Sequence, residues 1–257
     1  MFKLTPVLDQ MQSLYELPRD QKRFEAYLEM LQGKQKGNMI LPIAGYNPMG
    51  KENVLEKIQE LKNLNAEELI GEVLDKINIK EDIHALPNIQ LVLNLADDVG
   101  GVWSNKCTVD YSSKFEFGPL LKRNFCAPYF WSSEGFTKNN IETRVVQYAY
   151  RTIFWIKNGT PRTLKDFVLQ EIYVFAKGSQ NEKEIPEYRL EEVQHFFNQN
   201  SESEEYSLLF NFFYGDKASN ELNYPTYGAI ENQGFRFSAI LAKNKKWQES
   251  NSGFAFE

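Results

Sequence analysis

The stretch from Asn88 to Phe136 decides the fold, and it contains two short apolar runs. The first reads N-I-Q-L-V-L-N-L-A and is followed at once by D-D-V-G-G-V-W-S-N-K. The second reads N-F-C-A-P-Y-F-W and is followed by S-S-E-G-F. Apolar runs of this length, bounded by small and polar residues, are typical of buried strands. We therefore expect two strands whose C-terminal ends lie side by side and wall a shared cavity.

Helical periodicity dominates the rest of the chain. Apolar residues recur at helical spacing over 7–32, where Pro18 divides two helices, and again over 51–64 and 139–157. Strands are few, and no regular alternation of strand and helix is present. The sequence therefore predicts an α+β fold, a predominantly helical single domain with a few short buried strands.

Some boundaries are less sharply indicated by the pattern. The globular domain is expected to span 1–248, and the polar tail 249–257 is expected to be mobile. Segments 103–117 and 235–243 fit either a helix or a strand, with a helix favoured for the second. The turn Tyr46–Gly50 is interpreted as structural punctuation, and a loop that touches a ligand is the alternative.

Composition places the chain among ordinary globular proteins with an unusual aromatic content. The 257 residues are 42% hydrophobic and 25% charged, which is typical of soluble domains, but 14% are aromatic. Most of these rings must lie in the core, because aromatic side chains contribute much of the buried area. A minority could line a pocket.

Charge and targeting signals exclude several classes of protein. The net charge of -6 argues against nonspecific nucleic-acid binding, which requires clustered lysine and arginine. The first residues lack the apolar core of a signal peptide, and no window has the uninterrupted apolar length of a membrane span. With only two cysteines, a disulfide framework is not expected. The sequence thus predicts a cytoplasmic protein that binds neither nucleic acid nor membrane.

Asp97 and Asp98 follow the first apolar run and are the first candidates for chemistry. Adjacent carboxylates can bind a hard divalent cation such as Mg²⁺ or Ca²⁺ through their oxygens. They can also supply a general base, because like charges at close range raise one pKa. The alternative interpretation is an exposed turn, since Asp-Asp-Val-Gly-Gly also has turn chemistry.

Further candidates lie beside these carboxylates in the sequence. Trp103, Asn105 and Trp131 offer stacking and directed hydrogen bonds to a flat or sugar-like ligand, although the two indoles could equally fill the core. Glu134 could pair with Asp97 or Asp98 as acid and base, or it could be an acid at a helix start.

Arg144 and Arg151 lie on one stripe of a predicted helix. A guanidinium on a partly apolar stripe requires an anionic partner. That partner could be a ligand anion, with the two arginines as a clamp, or Glu171 on the next helix. An internal arginine–glutamate pair is the interpretation that we favour.

Two hypotheses of function follow. The first is a cytosolic small-molecule-binding protein, whose carboxylate- and tryptophan-lined pocket could support acid/base or divalent-metal-assisted hydrolysis. The second is a non-catalytic scaffold or regulatory protein that uses aromatic surface for a protein interface. No motif fixes a reaction, so enzyme status, the metal and self-association are left open.

Overall fold

The computed structural model describes residues 1–33, 38–81, 86–99, 105–178 and 187–243. Trp103 and the tail 249–257 lie outside these ranges, and their predicted roles stay predictions. Within the described residues the secondary structure is mostly helical, with short strands in two small sheets. The prediction of a mainly helical α+β fold is confirmed.

The helices of the described ranges are numbered in chain order. They are α1 (Leu8–Glu16), α2 (Gln21–Gln32), α3 (Glu52–Asn63), α4 (Ala66–Lys80), α5 (Lys106–Phe115), α6 (Gly118–Leu121), α7 (Lys138–Asn158), α8 (Leu164–Lys177), α9 (Glu187–Asn200), α10 (Tyr206–Glu221) and α11 (Gln233–Lys243). Of the two segments that fitted helix or strand, 235–243 is thus helical, and so is most of the described part of 103–117. None of these helices is long and apolar enough to cross a membrane.

The strands form two parallel sheets. Strand β1 (Phe2–Leu4) pairs with β2 (Ile89–Leu91), which pairs with β4 (Phe125–Cys126). Strand β3 (Asn94–Ala96) pairs with β5 (Tyr129–Trp131), so that Ala96 lies opposite Trp131.

The two apolar runs of the sequence lie beside each other along their whole length. Between the two sheets, the Val92 amide donates to the Cys126 carbonyl over 2.9 Å, and the Asn94 amide donates to the Pro128 carbonyl over 3.0 Å. Pro128 lacks an amide hydrogen and falls between β4 and β5, where a proline is tolerated. The predicted side-by-side arrangement of the runs is therefore confirmed.

The chain forms two compact units, Met1–Ala149 and Tyr150–Glu257, and the boundary falls within α7. The first unit contains both sheets, and in it α1 packs against α2 and α3. In the second unit α8 packs against α9 and α11, and α10 packs against α11. The prediction of a single domain over 1–248 stays a prediction.

Aromatic side chains are concentrated in the interior of each unit. In the second unit Phe212, Phe213 and Phe237 are fully buried, and the rings of Phe212 and Phe237 meet edge to face. Among the described residues, the large exposed hydrophobic side chains include two aromatic ones, Tyr206 and Tyr227. Most aromatic side chains of the described residues are thus buried, and an aromatic protein interface stays a prediction.

Candidate functional site

The C-terminal ends of β3 and β5 bring two aspartates against two serines. The Ser132 amide continues the ladder by donating to the Ala96 carbonyl over 2.9 Å. The Ser132 hydroxyl then donates to Asp97 Oδ1 over 2.7 Å, and the Ser133 hydroxyl donates to Asp98 Oδ2 over 2.6 Å. Parallel strands deliver their carboxyl ends to the same edge of a sheet, which explains why the four side chains meet.

A cavity of about 340 Å³ opens beside this sheet edge, within the first unit. Residues of β3, β5, α2, α5 and the loop before α3 line it. They are Phe24, Tyr27, Ala44, Gly45, Tyr46, Asn47, Pro48, Ala96, Asp97, Val109, Tyr129 and Trp131. Residues from the ends of both predicted strands thus contribute to one cavity wall, as the sequence predicts.

Asp97 is held at the rim of the cavity by donors from three directions. Its Oδ1 accepts from the Ser132 hydroxyl, from Asn53 Nδ2 over 3.1 Å and from the Val99 amide over 3.2 Å. Its Oδ2 accepts from Asn47 Nδ2 over 3.2 Å. Asp97 is only 8% exposed. Burial disfavours the charge of a carboxylate, whereas hydrogen-bond donors such as these stabilise it.

Asp98 has a different environment, although it is the next residue. Its side chain is 5% exposed and its Oδ2 forms an ion pair with Lys106 Nζ over 2.6 Å. Burial alone would raise the pKa of the Asp98 carboxyl. Hydrogen bonds from Lys106 and Ser133 have the opposite and larger combined effect, so the pKa lies below its usual value. Asp98 thus contacts both Lys106 at the start of α5 and Ser133 just after β5, and it does not line the cavity.

Asn94 lies on the same face of β3 as Ala96, because side chains of a strand alternate. It is 1% exposed, and neither atom of its amide forms a hydrogen bond of ordinary geometry. The amide is nevertheless close enough to the Tyr129 hydroxyl to lower a pKa that burial raises. A buried amide without a good partner is costly, and such a group in a native structure requires an explanation.

The tyrosines of the cavity are neutral at physiological pH. Burial, together with the neighbouring Tyr129 hydroxyl, raises the pKa of Tyr27 to about 12. Burial also raises the pKa of Tyr46, whose hydroxyl donates to the Met11 carbonyl over 2.9 Å. These rings therefore present neutral, electron-rich faces.

The loop before α3 closes one side of the cavity by close backbone approach. A Cβ on Gly45 would lie 2.6 Å from Tyr129 Cε1 and 3.3 Å from the Ala96 Cβ. Asn47 Oδ1 accepts from the Met49 amide over 3.0 Å, which turns the other side of its amide toward Asp97. Tyr46, Asn47 and Pro48 of this turn thus line the cavity, and contact of the loop with a ligand stays a prediction.

Asn105 and Glu134, two candidates from the sequence, have structural contacts. Asn105 Oδ1 accepts from the amides of Cys107 and Thr108 and caps α5. Glu134 Oε2 forms an ion pair with Arg144 Nη1 over 2.6 Å, and the same nitrogen donates to the Tyr129 carbonyl. These contacts show no pairing of Glu134 with an aspartate, and its catalytic role stays a prediction.

Arg151 belongs to the second unit and is paired internally. It is 2% exposed, and its Nε and Nη2 donate to the two carboxylate oxygens of Glu171 over 2.7 and 2.6 Å. This confirms the favoured interpretation, an arginine–glutamate pair between neighbouring helices. The arginine clamp for a ligand anion has no support in these contacts, since Arg144 also has a carboxylate partner.

The described contacts of Asp97 and Asp98 give no support to a divalent-cation site, which stays a prediction. Such a site requires several oxygen ligands directed at one point. Across the described part of the chain, no group of three or more histidine, cysteine, aspartate or glutamate side chains could hold a metal ion. The two aspartates are instead directed at serine hydroxyls, amides and an ammonium group.

Several cavity residues are not singled out by the sequence pattern. Phe24 and Tyr27 belong to an amphipathic helix and have the spacing of core residues. Tyr46 and Asn47 belong to a turn whose chemistry indicated a local role. The usable signal was the turn sequence Y-N-P-M-G, because an asparagine that fixes a turn can also direct its amide at a neighbour.

Comparison of the chain with protein-family models, with curated proteins and with solved structures finds no match, so the geometry of this cavity is the basis for assigning a function.

Proposed function

We propose that the first compact unit binds a small organic molecule in the cavity at the ends of β3 and β5. The observation that carries this proposal is the combination of an aromatic-lined cavity with the buried carboxylate of Asp97 at its wall. Ligand sites are typically concave and apolar, with a few directed polar groups. The volume of about 340 Å³ is within the range that such sites occupy.

The chemistry of the wall supports recognition by stacking. Tyr129 and Trp131 project from the same face of β5, with their ring centroids 5.7 Å apart. Tyr27 and Tyr46 lie with centroids 6.2 Å apart. Aromatic faces provide large contact area with little loss of conformational entropy, and so they suit a compact ligand.

Binding is a better supported role for Asp97 than proton transfer. A general base must accept a proton, and protonation would weaken the hydrogen bonds from Ser132, Asn53 and Asn47. The carboxylate is therefore better suited to act as a permanent charge. The prediction of a hydrolase has no further support in these contacts.

A fragment screen by ligand-observed NMR tests the proposal. The library should contain cationic, neutral and anionic fragments of low mass. Saturable hits that lose binding in Ala96→Leu, which places a larger side chain in the cavity, support the proposal. Ala26→Leu is the matched control, since it adds the same atoms on α2 but lines a different groove. Absence of saturable hits, or equal binding by a folded Ala96→Leu protein, would contradict it.

A further inference from the structure

Resting on the proposed function, we propose that the ligand of this cavity is a small organic cation, a methylated ammonium ion held by the aromatic rings and by Asp97. Three features carry this inference. They are the sign of the charge at the wall, the number of aromatic faces around the cavity, and the state of the hydrogen-bond acceptors.

The charge at the wall is negative. Among the described residues that line the cavity, Asp97 is the one with a formal charge, and no lysine or arginine is present. An anionic ligand would be repelled by this buried carboxylate, whose charge is weakly screened. A cationic ligand would provide the complementary charge.

Two cations lie near the cavity, and contacts with other groups hold both. The Arg23 guanidinium donates to the carbonyls of Leu17 and Tyr15 and, over 3.5 Å, to the carbonyl of Pro48 in the cavity wall. Lys106 forms its ion pair with Asp98. Burial raises the pKa of the Tyr15 hydroxyl. The charge of Asp97 raises this pKa further, and its effect is larger than the lowering caused by Arg23. At this hydroxyl, which lies outside the cavity lining, the effect of Asp97 is thus larger than that of Arg23.

Aromatic side chains line much of the cavity. Five rings line it, namely those of Phe24, Tyr27, Tyr46, Tyr129 and Trp131. Such an arrangement favours an ammonium ion, because the face of an aromatic ring carries partial negative charge and attracts cations. Trp131 already shows this property, since Lys106 Nζ lies 5.1 Å from its ring centroid.

The hydrogen-bond acceptors favour a methylated ammonium over a primary one. A primary ammonium brings three N–H donors that need acceptors. The oxygens of Asp97 already accept from Ser132, Asn53, Val99 and Asn47. A quaternary ammonium, in which carbon groups replace every N–H, needs no acceptors, and charge and aromatic rings alone stabilise its binding. The cavity supplies both.

Three molecules of nearly the same shape test the inference by isothermal titration calorimetry. Choline is the cation, 3,3-dimethylbutan-1-ol is its neutral analogue, and 3,3-dimethylbutanoate is the anion. We expect choline to bind about tenfold more tightly than the neutral alcohol, with no measurable binding of the anion. Charge is the main property that varies in the series.

Variants separate the carboxylate from the rings. Asp97→Asn should reduce the preference for choline over the alcohol, whereas Asp9→Asn, at an exposed ion pair, should leave it unchanged. Tyr27→Leu provides a second test if Asp97→Asn fails to fold. Loss of one ring should weaken choline binding about fivefold and the alcohol less.

The outcomes distinguish this inference from the proposed function. Equal or tighter binding of the alcohol or the anion overturns the cationic ligand. Failure of all three molecules, with other fragments still binding in the Ala96-dependent manner, also overturns it and leaves the proposed function in place. If neither the series nor the fragments bind, the proposed function itself fails.

Discussion

The hydroxyl of Ser132 donates to the carboxylate of Asp97 across 2.7 Å, at the point where β3 and β5 end side by side. The two residues are the first after their strands, and the parallel register places them opposite each other. The pairing of β3 with β5 therefore also sets the orientation of the Asp97 carboxylate at the cavity.

Asp97→Asn should destabilise the protein strongly. The substitution directs an amide NH₂ at groups that are themselves donors, including Ser132, Asn53 and Asn47. We expect a loss of about 2 to 3 kcal/mol in the free energy of unfolding, the range for hydrogen bonds to a buried charged group. Urea unfolding followed by circular dichroism measures it.

Asp9→Asn is the control for this substitution. Asp9 pairs with Lys62 over 2.6 Å, but its side chain is 87% exposed, and an exposed pair contributes little. The two variants should therefore differ clearly in urea midpoint. If Asp97→Asn unfolds at the same urea concentration as wild type, the carboxylate is not held as described.

Gly45→Ala should disturb the cavity wall. The added Cβ would lie 2.6 Å from Tyr129 Cε1, so the Tyr129 ring must move. Overpacking of this kind destabilises by about 1 to 3 kcal/mol. Thermal unfolding of the purified variant measures the loss.

Gly71→Ala is the matched comparison, since nothing lies within 4 Å of a Cβ at that position in α4. Alanine in a helix interior is favoured over glycine by about 0.5 to 1 kcal/mol, so this variant should be slightly more stable than wild type. Equal stability of the two alanine variants would contradict the close approach of Gly45 to Tyr129.

The sequence predicts that the two runs are extended and share an edge, because 88–96 and 124–131 have a clear apolar pattern that ends in polar residues. It does not predict that each run is divided into two short strands. It also predicts the Arg151–Glu171 pair, since charge on an apolar helix face requires a partner. Both predictions depend on local sequence patterns, and such patterns indicate the same structure in almost any fold.

The other walls of the cavity could not be predicted in this way. Tyr27 has the same helical spacing whether it faces a cavity or a packed core, and periodicity does not distinguish the two. Asn105 is a candidate because of its position between the two runs. It precedes a helix and caps it, which is a favoured role of asparagine, and its ligand contact stays a prediction.

Asn94→Leu should raise stability, unlike most substitutions in a buried strand. The amide is 1% exposed and lacks a hydrogen bond of ordinary geometry, and leucine has a similar size. Removing an unsatisfied buried amide should increase the free energy of unfolding by about 1 kcal/mol. Thermal unfolding provides the measurement. A marked drop in stability would show that Asn94 has a structural partner.

The ion pair of Asp98 predicts a specific dependence of stability on pH. The folded-state pKa lies below the unfolded value of 3.8, so the unfolded protein takes up the proton first. The stabilisation is therefore complete above that value and is lost as the pH falls through the folded-state pKa.

Lys106→Met tests this dependence, since it removes the ammonium that bonds Asp98. The variant should be less stable than wild type at pH 7, and the difference should shrink as the pH falls toward 2 in urea titrations at fixed salt. Lys62→Met, at the exposed pair with Asp9, should show little difference from wild type at either pH. If the difference in unfolding free energy between wild type and Lys106→Met does not change with pH, the Asp98–Lys106 ion pair does not provide the stabilisation.

Arg151 and Glu171 provide the last prediction, which concerns the second unit. Arg151→Met leaves the Glu171 carboxylate, which is 0% exposed, without its guanidinium. Gln170 Nε2 still donates to it over 2.8 Å, but one amide does not replace a bidentate ion pair. We expect a loss of about 3 to 5 kcal/mol in the free energy of unfolding.

The double variant Arg151→Met/Glu171→Leu separates a buried charge from lost packing. Because it removes both charges, it should recover about half of the loss or more, as apolar replacements of buried pairs often do. Arg144→Met is the control, since the Arg144–Glu134 pair is partly exposed, and its loss should be at most about 1 kcal/mol. If the double variant is less stable than Arg151→Met alone, the penalty comes from packing of the glutamate and not from its unpaired charge.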